Sequence, residues 1–249
     1  MTSILALDTS SENCSVALSR HGEIHQLLEF APRNHTKLIL PMIQALLAQQ
    51  GLQLSAISAI GFGCGPGSFT GIRIAAGVAQ GLAFGLNVPI YAISNLQALA
   101  LQSYLQLGVP RILATIDARM GEVYWGLFSV AQETVKLETG GETIIYRVTP
   151  LLDEQVSAPE AVSIPDAIRA QCDHSAWAAI GSGLAFADSF PESVRACLTQ
   201  QDASAQPQAE ALARLTQTAI LQGLSGNIED ALPSYVRDTV TWNKLPGRE

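Results

Sequence analysis

Apolar and polar positions alternate in blocks from the first residues onward. Residues 4–7 are apolar, residues 8–13 (DTSSEN) polar and residues 14–18 apolar again, which predicts strand, turn, strand with an aspartate at a strand end. His21-Gly22-Glu23 marks a tight turn before a third strand over 24–30. The spacing then changes. Over 36–50, Leu38, Ile39, Met42, Ile43, Leu46 and Leu47 fall on one helical stripe that stops before Gly51, and Pro41 inside it is expected to kink the helix or leave a carbonyl free. Residues 59–64 form a buried strand leading into a glycine-rich turn and a long apolar helix over 70–85. A strand over 88–93 follows, and Ser94-Asn95-Leu96-Gln97 has the form of a capping box opening a helix to 105.

The next block repeats the first. Residues 112–116, 117–122 and 123–130 again give strand, polar turn, strand, LATID matching LALD, which points to an internal duplication. Over 133–161 the pattern weakens to β-ribbon and loop, with Gly140-Gly141 as a turn and Pro150 and Pro159 as breakers. A late strand over 176–180 closes on Gly181-Ser182-Gly183, and 208–222 is an amphipathic helix capped by Gly223. The tail from 227 is irregular, yet it carries Tyr235 and Trp242, as segments that dock on a domain do.

The chain is organised around IGFGCGPGSFTGIRIAAGVAQGLAFGL, residues 60–86. Gly63, Gly65, Gly67 and Gly71 bend the backbone at a helix mouth, where free N–H groups favour anions. The spacing is not G-x-G-x-x-G, and the lysine of a phosphate loop is missing. Within the helix Gly77, Gly81 and Gly85 recur every four residues beside an Ile74, Val78, Leu82 ridge. Each interior glycine costs about 1 kcal/mol against alanine, so a closely packed neighbour is expected, either from the same chain or from a second subunit.

Composition narrows the classes. At 249 residues with 48% hydrophobic and 14% charged residues, the chain can bury a large core and is not disordered. A net charge of −8 argues against unaided binding of RNA phosphates. Cys14, Cys64, Cys172 and Cys197 include no C-x-x-C pair, so neither a zinc site nor a disulfide framework is expected. No signal peptide and no stretch approaching a membrane span is read, which predicts a cytoplasmic protein without membrane contact.

Candidate chemistry is sparse. His21 and His25 have metal-ligand spacing but fall on a hairpin turn, and His35 and His174 lack evident partners. A Ser68, His35, Asp8 triplet has no nucleophile elbow behind it. Asp8 and Asp117 occupy matching places in the two hairpins, either as turn caps or as carboxylates of a nucleotide cleft between lobes. Arg119 and Glu122 belong to that cleft or to a surface ion pair, and Arg73 would reach a bound anion or a partner carboxylate.

GPGSFTGIRIAAGVAQGLAFGLNVP, together with ILALDTSSENCSVAL, NHTKLILPMI and PSYVRDTVTWNKLPGRE, closely resembles the TsaB (YeaZ) family over nearly the whole chain. The resemblance implies an α/β, two-lobed actin-like (ASKHA, ribonuclease H-like) fold with mixed sheets and a duplicated lobe. It places residues 1–105 plus 207–230 in the first lobe, 106–206 in a smaller second lobe and 231–249 in a tail. Actin-like proteins carry a phosphate loop at the first turn, usually with glycine; here Thr9 and Ser10 stand there, beside Asp8. In the related catalytic TsaD family, metal-binding histidines occupy positions that fall here on Asn95 and Leu99, so no metal site and no catalytic residue are expected. The implied role is a non-catalytic subunit of tRNA N6-threonylcarbamoyladenosine synthesis. It would bind TsaD, with TsaE, reach tRNA only through the complex, and self-pair when TsaD is absent. Leu38, Met42, Ile43, Leu46, Arg73, Ile74, Gly77, Val78, Gly81, Leu82 and Gly85 would form the interface. No cofactor is expected, and whether a nucleotide lodges at a subunit junction is left open by the sequence. The alternative is an independent actin-fold ATPase or kinase using Asp8 and Asp117.

Overall fold

The first apolar blocks build one edge of a five-stranded sheet. Strands β1 (Ile4–Asp8), β2 (Asn13–Arg20) and β3 (Glu23–Phe30) pair antiparallel in sequence order. On the other side β4 (Ala59–Gly65) and β5 (Ile90–Ser94) run parallel to β1, giving the order β3-β2-β1-β4-β5. The structure is a computed structural model and describes residues 2–137, 140–170 and 176–237. Cys172, His174 and Trp242 lie outside the described residues.

A second sheet repeats the plan. Strands β6 (Arg111–Arg119), β7 (Glu122–Lys136) and β8 (Glu142–Pro150) pair antiparallel, the short β9 (Gln155–Ser157) adds to β7, and β10 (Trp177–Ile180) and β11 (Leu198–Asp202) run parallel beside β6. Its order, β8-β7-β6-β10-β11, matches that of the first sheet strand for strand. The duplication anticipated from the two hairpins is therefore present in the topology.

Alternation along each strand sends side chains to opposite faces, and each face has its own cover. Leu5, Leu7, Val16 and Phe62 point outward, beneath α1 (His35–Gln49) and α2 (Phe69–Leu86). Ala6, Ala17 and Ile93 point inward, into a central core shared with Ala114, Phe128 and Ile180 of the second sheet. Two helices contribute to that core: α3 (Asn95–Leu107) and α6 (Ala209–Leu221). The outer face of the second sheet buries Leu113, Trp125 and Trp177 against Phe190 and Val194, near α4 (Asp166–Ala170) and α5 (Glu192–Arg195). Small inward residues let α6 come close. A Cβ on Gly61 would overlap Thr216 of that helix.

Several expectations shift. The first helix continues through Pro41, which is exposed; lacking an N–H, it leaves the Lys37 carbonyl without its helical donor. The turn expected over 117–122 is shorter, because β6 runs to Arg119 and β7 starts at Glu122, with Arg119, Met120 and Gly121 all in the left-handed region. β11, α4 and α5 were not foreseen, being short and polar. The expectation that no stretch approaches a membrane span is also corrected. At 18 residues, α2 is long and apolar enough to cross a membrane by length and composition. Here its Ala75, Ala79 and Ala83 face is buried against the first sheet.

Candidate functional site

The glycine loop sits on the first turn. Thr9 Oγ1 donates to the Gly71 carbonyl at 2.7 Å, and Ser68 N–H donates to the Ser10 carbonyl at 2.7 Å. A Cβ on Gly67 would stand 2.7 Å from Ser10 O, and one on Gly71 would overlap Thr9 O, so only glycine lets the two loops touch. The Gly71 N–H turns to Ser68 Oγ, the N-cap of α2, at 3.3 Å. These two N–H groups are thus taken up inside the fold, while Phe69 and Thr70, which open α2, are exposed. Asp8, Thr9 and Ser10 beneath the loop are 0%, 0% and 3% exposed.

Asp8 ends β1 and caps its own turn. Its Oδ1 accepts from Ser10 N–H at 3.1 Å and Ser10 Oγ–H at 3.0 Å, while Oδ2 is buried without a donor. Burial pushes its pKa up to about 7, against the two lowering Ser10 bonds. Beside it lies Asn95, fully buried, whose Nδ2 donates to the Pro66 carbonyl at 3.1 Å. Ser94 Oγ caps α3 by accepting from Leu96 N–H (3.1 Å) and Gln97 N–H (3.3 Å), as the capping box predicts, and donates to Glu154. Burial raises the Glu154 pKa and drives the Cys14 and Cys64 thiols up to about 12, so neither cysteine is a nucleophile near neutrality. Nothing in the sequence pattern singles out Glu154, which belongs to no repeat or motif, and Asn95 is read there for its place in the capping box and at a TsaD ligand position, not for this contact.

Asp117 occupies the equivalent turn of the second sheet. Its Oδ1 accepts from Arg119 N–H at 2.7 Å and its Oδ2 pairs with Arg119 Nη1 at 3.1 Å. Both aspartates therefore cap at two residues' distance, and Arg119 serves its own turn. Glu122 pairs with Arg237 of the tail and not with Arg119, which corrects the expected ion pair. The same tail lays Ser234 N–H on the Cys64 carbonyl at 2.8 Å, linking the end of β4 to the β6–β7 turn. The Ser68, His35, Asp8 triplet does not assemble. His35 Nε2 lies 3.2 Å from the Asn13 carbonyl, and Asp8 bonds Ser10. His21 and His25 stay on the β2–β3 hairpin, with His25 3.6 Å from Glu23.

On α2 the two faces differ sharply. A Cβ built on Gly77, Gly81 or Gly85 would meet nothing within 4 Å, and Phe84 beside them is 80% exposed. Ile74, Val78 and Leu82 are half-buried along the edge of this strip, as is Leu38 of α1. Met42, Ile43 and Leu46 belong to the chain's own core at 1–3% exposure, so they are withdrawn from the expected interface; Leu40 is the large apolar side chain that α1 leaves exposed. Among the described residues Arg73 pairs with no carboxylate of its own chain. Its guanidinium lies 3.3 Å from the Phe69 ring centroid and 4.9 Å from that of Tyr235, and donates to the Phe69 carbonyl.

Comparison with known proteins gives this arrangement a context. A family model described as TsaD, tRNA N6-adenosine threonylcarbamoyltransferase, matches residues 28–245. The tRNA threonylcarbamoyladenosine biosynthesis protein TsaB of Haemophilus influenzae is 43% identical over 246 residues, covering 99% of this chain and 98% of that one. TsaB of Escherichia coli is 38% identical over 99% of both chains. The solved structure of YeaZ from Pseudomonas aeruginosa superposes with a TM-score of 0.80 at 40% identity, covering 94% of this chain and 100% of that one. The paired sheets and these neighbours fit a two-lobed actin-like fold.

Proposed function

We propose, from the premise that this chain belongs to the TsaB (YeaZ) family of tRNA threonylcarbamoyladenosine biosynthesis proteins, that it is a non-catalytic subunit supporting TsaD. With TsaE and tRNA in the assembly, TsaD would transfer threonylcarbamoyl to N6 of the adenosine following the anticodon, in the cytoplasm. The observation that carries this reading is the bare strip of Gly77, Gly81 and Gly85. Three glycines in one helix cost about 3 kcal/mol relative to alanine, and nothing among the described residues packs there to offset the loss. A helix from another chain, laid along the strip between Arg73 and Phe84, would gain the close approach that side chains elsewhere forbid. The first lobe, residues 1–105 with 207–230, would carry this face toward TsaD, or toward a second copy when TsaD is absent.

The buried turn supports the same reading from the other side. With Asp8, Thr9 and Ser10 sealed beneath the glycine loop, phosphates have no path to the place a phosphate loop would occupy. Mass measurement of the chain mixed with TsaD and TsaE is the test. Gly81→Leu is expected to abolish pairing while leaving circular dichroism and thermal unfolding of the monomer intact, and undiminished pairing would count against the assignment. Titration with Mg-ATP separates the rival ATPase or kinase, which would bind and hydrolyse it alone.

A further inference from the structure

Among the described residues two buried acceptor-only oxygens, one carboxylate and one amide, have no donor, and they converge. Asp8 Oδ2 at the end of β1 and Asn95 Oδ1 at the start of α3 are both sealed from solvent and unpartnered. Each would overlap a Cβ placed on Gly63, so both crowd the same point. Turning the Asn95 amide round does not resolve the conflict. Its Nδ2 donates to the Pro66 carbonyl, which can only accept, and the reversed amide would set oxygen against oxygen there. Ser10 spends both its donors on the other oxygen of Asp8.

We propose that Asp8 is a protonated acid whose Oδ2 proton is donated to Asn95 Oδ1, a neutral acid–amide bond that ties the first sheet to the helix packed between the sheets. One proton satisfies both orphaned atoms. The surroundings favour the neutral form. Among the described residues no lysine, arginine or histidine pairs with Asp8. The Cys14 thiol of β2, which also feels Glu29 of β3, and the Cys64 thiol of β4 feel its charge from the opposite, outer face of the sheet. Glu154, bonded to Ser94 next to Asn95, adds an acid and no cation. From the glycine loop come Gly67 and Gly71, without charge, while Arg73 of α2 is turned outward to Phe69 and Tyr235. Above neutrality the ionised carboxylate confronts an amide oxygen, and the joint between β1 and α3 loosens. This device is independent of which partner the chain binds.

Carbon-13 carboxyl NMR of the full-length chain, with Asp8 assigned by backbone-correlated triple-resonance spectra of the unaltered chain, tests it. The Asp8 titration is expected at a midpoint near 7, so that at pH 5 the protonated form exceeds the ionised one about 100-fold. A carboxylate signal at pH 5 would overturn the proposal. In Asp8→Asn the new amide N–H replaces the acid proton toward Asn95, so its thermal midpoint at pH 8 is expected to equal or exceed that of the unaltered chain. A lower midpoint in the folded variant would show that an ionised Asp8 is what the site requires; if the variant does not fold, the wild-type titration decides.

Discussion

Gly71→Ala is expected to lower the unfolding free energy by about 3 kcal/mol or more, whereas Gly81→Ala, in the same helix, raises it by about 0.5–1 kcal/mol. Propensity alone would make the two changes alike. Position 71 differs because its added methyl overlaps the Thr9 carbonyl, a backbone atom that Thr9 and Ser10 hold through bonds to Gly71 O and Ser68 N–H. Relief would require the glycine loop to lift off the β1–β2 turn, breaking both bonds and exposing Asp8. At position 81 the methyl enters open space and only the backbone entropy term remains. Denaturant unfolding of both variants, at dilutions where the chain is monomeric, checks the pair. Similar destabilisation at both sites would mean that the outer strip is packed in the isolated chain, which would remove the main support for the interface.

The contrast also marks what the sequence made legible. Periodicity alone located the strands of both hairpins, the helices at 36–50 and 70–85, and the repeat of LALD in LATID, because each rests on local spacing and the core rewards it directly. Asp8 and Asp117 were visible as turn residues, and their bonds to Ser10 N–H and Arg119 N–H follow from local chemistry. Depth was less legible. Met42, Ile43 and Leu46 share a stripe with Leu38, and no pattern says that the sheet claims the first three while the stripe's edge stays half open. The anion mouth expected at the glycine loop is narrowed for a related reason. A helix N-terminus looks the same in sequence whether its N–H groups face solvent or, as with Ser68, a carbonyl brought in from 58 residues earlier in the chain. Glu154 and Arg237 reach Ser94 and Glu122 only through the long-range fold, so nothing near them in sequence announced those bonds.

Stability is expected to fall by about 3 kcal/mol between pH 5 and pH 8, opposite to the rise that ionising carboxylates usually bring. The sign follows from Asp8. Its folded pKa, about 7, lies above the ordinary aspartate value of 3.8 that serves for the unfolded chain, so the folded state holds the proton more tightly. Its contribution is complete below about pH 4, declines by about 1.4 kcal/mol per pH unit as pH rises through the interval, and is gone above about 7. Glu154, also raised by burial, adds to the decline. Glu133, held low by Arg147, and Asp202, held low by Ser204, act the other way, but groups with lowered pKa values finish titrating below the interval. Denaturant unfolding at pH 5, 6.5 and 8 reads the slope directly, and Asp8→Asn is expected to remove most of it. A stability that climbs from pH 5 to 8 would mean that Asp8 enters the fold ionised, and that a donor other than its own proton stands between β1 and Asn95.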